Sequence, residues 1–285
     1  MTAPAEPPAE HPPTVREFEA RDGLRLQYRA WEAAEPRAIL RIIHGLGEHG
    51  ARYQALVEVL LARGISSYAL DLRGHGTSGG RRGHARSFRA VLDDVAGFTR
   101  ETPAAGRPAF LLGHSLGGLV ALRAVQEGRA GVLGGAILSA PALALMSGDT
   151  AWHRAAGGLL SRVAPGIGLP SGIPPEHLSH DPAAVSAYVE DPLVHDRISP
   201  RLYMEMLSAM RSAARDAPDV ILPVLLLAPG DDRVVDARTS LAVADRFSGE
   251  VTVRSYPAFY HEPFHEQGRE KVFEDVAAWL EDRID

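Results

Sequence analysis

Gly113-His114-Ser115-Leu116-Gly117-Gly118 decides how this sequence is read. The apolar run Ala109 to Leu112 precedes it and the helix-like run Leu116 to Gln126 follows. Strand, sharp turn and helix with a serine at the apex is the setting of a nucleophile elbow, Gly-x-Ser-x-Gly. The turn lifts the hydroxyl clear of the strand end. Gly113 and Gly117 stand where neighbouring backbone leaves no room for a side chain. A serine hydroxyl alone is a weak nucleophile, so the motif requires a base and an orienting acid elsewhere in the chain.

Both occur, in order. Asp231-Asp232 follows a second apolar run, Val224 to Ala228, and His261 follows an extended run, Val251 to Tyr256. The chain order Ser, Asp, His is the one α/β-hydrolases use. Ser115 is therefore the expected nucleophile, and His261 the base that takes its proton and returns it to the leaving group. Asp232 is the expected acid, with Asp231 as the alternative, because adjacent residues in an extended turn point apart and only one can face the imidazole. Asp236 suits the N-cap of a helix starting near Ala237. The oxyanion donors are expected at the backbone N–H of Leu116 and of Leu46, in the loop after the strand ending at Ile43. Gly45 and Gly47 let that loop approach closely, and His44 is expected to brace it.

The other histidines have ordinary readings. His265 falls in the expected first turn of the last helix, His114 points away from Ser115 and packs, and His75 and His84 sit in a Gly/Arg loop expected on the solvated surface. His261-Glu262-Pro263-Phe264-His265 also spells the zinc motif H-E-x-x-H. That motif needs a continuous helix, which Pro263 penalises, and a third ligand, for which little chain remains. The zinc reading is set aside, and no metal or organic cofactor is expected.

The remaining sequence supports one α/β unit with an insertion, a fit to 285 residues. Val15 to Trp31 reads as a hairpin turning at Asp22-Gly23. Ala38 to Ile43, Ser66 to Leu72 and Gly135 to Leu138 read as strands, and Tyr53 to Arg63 and Ser87 to Arg100 as helices, the latter capped by Ser87. Short strands that are apolar on both faces, alternating with helices, predict a mostly parallel sheet covered on both sides, with its ligand at the carboxyl ends of the strands. Between Pro141 and Pro175 only Asp149, Arg154 and Arg162 are charged, and the alternation stops. Residues 143–197 are expected to form a cap over the strand ends, inserted between a first core part, 14–142, and a second, 198–285. Met146, Trp152, Leu159 and Leu160 are its expected substrate-binding residues. Residues 1–13, rich in Pro, Ala and Glu, predict a disordered tail and not a signal peptide.

A net charge of −6 argues against nucleic acid as a partner. There is no cysteine, hence no thiolate nucleophile and no disulfide framework, and Lys271 is the only lysine. No apolar stretch is long enough to span a bilayer. A cytoplasmic protein is expected, with peripheral membrane contact through the cap left open and the oligomeric state unread.

His44-Gly45-Leu46-Gly47-Glu48-His49, Asp71-Leu72-Arg73-Gly74-His75-Gly76, the elbow, Asp191-Pro192-Leu193, Asp232-Arg233 and Tyr260-His261-Glu262 follow one another at compatible spacing. Together they make the chain, from about residue 15 onward, resemble the monoacylglycerol lipase and lysophospholipase group of the α/β-hydrolases. The resemblance implies that fold with an inserted cap, and a serine hydrolase acting on carboxylic esters of single-acyl-chain lipids through an acyl-enzyme. A broad carboxylesterase or thioesterase without lipid preference is the alternative. It also implies Asp232 as the acid and Leu46 and Leu116 as oxyanion donors. Pro229 stands where the family often has Gly, so Asp231 stays open.

Overall fold

Thr14–Glu19 (β1) and Arg25–Trp31 (β2) pair antiparallel, with Phe18 opposite Leu26. Gly23 closes the turn at a φ of 81°, a left-handed conformation that favours glycine. From there strand and helix alternate: Ala38–Ile43 (β3), Gln54–Leu61 (α1), Ile65–Leu70 (β4), Phe88–Glu101 (α2), Ala109–His114 (β5), Leu116–Gln126 (α3) and Gly135–Ser139 (β6). The Ser87 hydroxyl accepts from the Ala90 N–H and starts α2. The computed structural model describes residues 11–146 and 151–284, without the side chains of residues 151–154. The expected tail, 1–13, lies outside that description as far as residue 10.

After β6 the chain leaves the sheet through Ala151–Val163 (α4), Leu169–Pro170 (β7), Pro182–Glu190 (α5), Arg197–Ile198 (β8) and Pro200–Arg215 (α6). It returns with Val224–Pro229 (β9), Ala237–Ala244 (α7), Val251–Tyr256 (β10) and Glu270–Glu281 (α8). The central sheet runs β1-β2-β4-β3-β5-β6-β9-β10, parallel from β4 to β10 and antiparallel at the β1–β2–β4 edge. This is the mostly parallel, doubly covered sheet that the alternation predicts, and the α/β-hydrolase architecture that the resemblance implies.

Each parallel strand feeds two cores. On β5, Leu111 packs with α2, α3 and α6, whereas Phe110 and Leu112 face α1 and α8. The period of two along a strand sends alternate side chains to opposite faces, which is why β3, β4, β5, β6 and β9 are buried at every position.

Among the described residues the excursion between β6 and β9 adds no strand to this sheet; β7 and β8 pair with each other. Its helix α4 packs on α6, which in turn packs on α2 and α3. Its later part is fastened to loops at the strand carboxyl ends: the N–H groups of His195, Ser199 and Glu262 bond across to the carbonyls of Gly47, Gly83 and Leu178, each at 2.9 Å. No helix among the described residues is long and apolar enough to cross a membrane.

Candidate active site

β5 runs to His114 and α3 starts at Leu116, so the reversal falls on one residue, Ser115. Its φ of 53° and ψ of −118° are costly for a residue with a Cβ. The turn is held by bonds from the Ser115 N–H to the Ser139 carbonyl at 3.0 Å and from the Ala142 N–H to the Ser115 carbonyl at 2.9 Å. A Cβ on Gly113 would lie 2.2 Å from the Gly117 carbonyl oxygen, and one on Gly117 would lie 2.1 Å from that of Ile43. The glycines thus let α3 start directly against β5 and β3.

Beyond β9, Asp232 turns inward. One carboxylate oxygen accepts from the Val234 and Val235 N–H groups at 2.8 and 2.9 Å, and the other meets His261 Nδ1 at 2.8 Å. His261 Nε2 meets Ser115 Oγ at 2.8 Å. A carboxylate only accepts, so Nδ1 carries the proton and Nε2 turns its lone pair toward the hydroxyl. Asp231 points outward to Arg233 at 3.5 Å and is half exposed. Both imidazole and carboxylate are buried. Burial alone would lower the His261 pKa, but the Asp232 charge and hydrogen bond outweigh it and hold it above the usual value. Burial likewise opposes the Asp232 charge, yet the imidazole and the two N–H donors keep its pKa below the usual value.

The loop after β3 backs the serine. A Cβ on Gly45 would sit 3.2 Å from Ser115 Cβ. His44 Nδ1 donates to the Gly45 carbonyl at 2.7 Å, and its Nε2 accepts from the Leu72 N–H at 2.9 Å. Both nitrogens are thereby used by one neutral tautomer, as suits a brace. Among the described residues neither the Leu46 nor the Leu116 N–H has a hydrogen-bond partner. Leu116 opens a helix, where the first N–H groups have no acceptor within it.

Several histidines differ from expectation. His75 is buried, not solvated: its ring packs between those of His44 and His195, and its Nδ1 donates to the Arg73 carbonyl. The covering residue, His195, comes from the excursion, 120 positions away, and no local pattern reveals it. His84 is partly buried, bonded to Ser199. His265 is not in the last helix; it closes the single 3-10 turn Pro263–His265, ahead of α8. Pro263 biases Glu262 away from the helical region, to φ −103° and ψ 80°. His261 and His265 consequently serve different partners, His265 bonding the Arg52 carbonyl and Glu262. His114 bonds Ser139, and burial followed by the nearby His261 pushes its pKa down to about 4.

A buried ionic cluster behind the site has no counterpart in the sequence reading. Arg52 forms two bonds with Glu262, at 2.8 and 2.6 Å, and one with Glu48 at 2.8 Å. Glu48 also accepts from the Gly45 N–H at 2.5 Å and from the Tyr53 hydroxyl at 3.1 Å. Tyr188 of α5 covers the Arg52 guanidinium, and His49 bonds Asp191 at 2.8 Å. The signal was present in Glu48-His49, but nothing in the spacing couples Arg52 to a residue 210 positions on.

Met146 is half exposed, its N–H bonded to the Val234 carbonyl in the loop that carries Asp232. Leu159 and Leu160 are exposed on α4; Trp152 belongs to α4, with its side chain outside the description. Among the described residues no group of three or more His, Asp or Glu side chains is placed to hold a metal ion.

Residues 34–268 match the family model described as serine aminopeptidase, S33. A phospholipase, YtpA, of Bacillus subtilis is 34% identical over 260 residues, covering 89% of this chain and 99% of that protein. A monoacylglycerol lipase of Mycolicibacterium smegmatis is 31% identical over 265 residues, 90% of this chain and 93% of that one. The crystal structure of a monoacylglycerol lipase from Paleococcus ferrophilus superposes with a TM-score of 0.83 at 34% identity, over 90% of this chain and 99% of that one.

Proposed function

The chain belongs to the S33-type family of α/β-hydrolases, in its monoacylglycerol lipase and lysophospholipase branch, and from that premise we propose that it hydrolyses carboxylic esters of single-acyl-chain lipids. The unbroken Asp232–His261–Ser115 hydrogen-bond chain supports the reading best. Ser115 Oγ attacks the ester carbonyl carbon while His261 Nε2 takes its proton. The carbonyl oxygen becomes an oxyanion facing the Leu46 and Leu116 N–H groups. The tetrahedral intermediate collapses, the C–O bond to the alcohol breaks, and His261 returns the proton to the leaving oxygen. Water, deprotonated by His261, then releases the fatty acid from the acyl-serine. Asp232 holds the tautomer and stabilises the imidazolium.

Residues 143–197 act as the cap, and Met146, beside the Asp232 loop, meets the acyl chain. Leu159 and Leu160 touch lipid from the outer side of the cap, which gives the protein a peripheral contact with membranes from a cytoplasmic location. Each methylene buried contributes about 0.8 kcal/mol, so an apolar cap favours long acyl groups. The test is a panel of p-nitrophenyl esters and monoacylglycerols with increasing chain length, run with Ser115→Ala. Turnover should rise with chain length and vanish in the variant, along with labelling by a fluorophosphonate probe. Turnover retained in Ser115→Ala removes the nucleophile. Rates flat from short to long acyl groups leave the broad esterase reading.

A further inference from the structure

We propose that β10, a free edge of the central sheet, pairs antiparallel with β10 of a second copy of this chain about a two-fold axis through Thr252, joining two eight-stranded sheets into one. Among the described residues β10 has β9 on one side and no strand on the other. The Glu250 and Tyr256 carbonyls accept from the N–H groups of Val224 and Gly230, at the two ends of β9, at 2.8 and 2.9 Å. Along a parallel pair, alternate residues of a strand bond to the same neighbour. The main-chain groups of Val251, Val253 and Ser255 therefore turn to the outer edge. Such a row is a template for another strand unless proline, a bulge or clustered charge blunts it. β10 contains no proline, and 251–253 carries no charge.

The side chains select the partner and the register. Successive residues point to opposite faces. Glu250, Thr252 and Arg254 line a groove against Ala278 and Trp279 of α8. Val251 packs on the core of the opposite face, and Val253, on that same face, is 40% exposed. Glu250-Val251-Thr252-Val253-Arg254 is its own complement when reversed. With the axis at Thr252, Val251 and the partner's Val253 exchange both main-chain bonds, and their side chains meet on one face. On the other face Glu250 stands opposite the partner's Arg254. Cross-strand pairs of both kinds are favourable. The Glu250 and Arg254 side chains are 63% and 47% exposed, and each has a local partner: Arg283 lies 2.5 Å from Glu250, and Asp275 lies 3.5 Å from Arg254. Pairing extends these contacts into a row of alternating sign that runs Arg283, Glu250, the partner's Arg254, the partner's Asp275. An axis at Val253 sets Arg254 against threonine, and an axis at Arg254 sets arginine against arginine, so the charges fix the register. The two-fold closes the edge on itself, and assembly stops at two copies.

The test is sedimentation of the full chain across a concentration series. A monomer–dimer equilibrium is expected, with the mass moving from 30.6 kDa to twice that value. Val253→Pro removes an outward N–H at a position where an edge strand tolerates proline, and should abolish the dimer. Glu250→Arg and Arg254→Glu each set like charges opposite one another, and should weaken association roughly tenfold or more. An equimolar mixture of these two variants should restore it, because every facing pair is again opposite in sign. Damage to the strand itself would not be rescued by mixing, so the charge variants keep the test decisive even where the proline disturbs β10. Turnover of a short soluble ester should stay unchanged in all three variants, which reports an intact fold. A chain that remains monomeric at every concentration, a dimer that survives Val253→Pro, or charge variants that fail to recover on mixing would overturn the proposal.

Discussion

His261 is buried between a carboxylate and a hydroxyl, and its proton balance sets the pH range in which the site can work. In its proposed role as the base, it must be neutral. Burial lowers the imidazole pKa, the Asp232 charge and hydrogen bond raise it, and the net shift is upward. A raised pKa places half-protonation above 6.5, so kcat/KM should fall on the acid side with a midpoint above the free-imidazole value. Asp232→Asn removes the charge and offers the wrong partner to Nδ1. It should cut kcat by about 10⁴, the scale seen when the acid of such a triad is made an amide, and move the residual activity's acid midpoint downward. Asp231→Asn, on an exposed side chain, should change kcat less than about twofold. Comparing the two pH–rate profiles checks both statements; an equal loss in both variants would refute the geometry. The sequence favoured Asp232 as the partner of His261 and left Asp231 open. What separates them is a pair of N–H groups, from Val234 and Val235, that turn one carboxylate inward.

The elbow works because an element boundary is compressed, and the same substitution should have opposite signs at two helical glycines. At Gly117 an added Cβ lies 2.1 and 2.4 Å from the carbonyl oxygens of Ile43 and His44, backbone that cannot swing aside. Gly117→Ala must push α3 off β3 and should cost about 3 kcal/mol or more, with activity lost. At Gly158, in α4, nothing lies within 4 Å of the added atom. Gly158→Ala should stabilise by roughly 0.5–1 kcal/mol through helix propensity. Urea denaturation of the two variants reads both signs. Elements such as these were the most legible feature. β3, α3 and β10 begin and end where their patterns do, because alternation and helical spacing are local properties. The end of the chain was less legible: a proline after Glu262 delays α8 to Glu270 and leaves His265 in a 3-10 turn. The excursion after β6 was legible only as a break in alternation. Its attachments, such as His195 to Gly47, pair loops far apart in sequence.

At the scale of the molecule, one buried cation ties the site to the rest of the fold. Arg52 follows β3 by only nine residues, yet it joins the loop after β3 through Glu48, the His261 segment through Glu262, and α5 through Tyr188. Burial opposes ionisation of both glutamates, and Arg52 overcomes it, holding the Glu48 pKa below 4.5 and that of Glu262 well below it. A carboxyl with a depressed folded pKa adds stability above its unfolded pKa and loses it as pH falls through the folded value. The native cluster therefore stabilises the protein fully at neutral pH. Arg52→Met leaves two buried carboxylates without a cation, and should cost about 3–5 kcal/mol near pH 7. In that variant the carboxyls take up protons when the chain folds. Relative to the parent, its stability should then rise as pH falls from about 7 toward 5; buried histidines with lowered pKa values, such as His114, cost both proteins alike over that interval. The gap between the two denaturation curves should accordingly narrow on acidification. A gap that stays constant or widens would mean that Arg52 acts by packing alone and that the glutamates were never ionised.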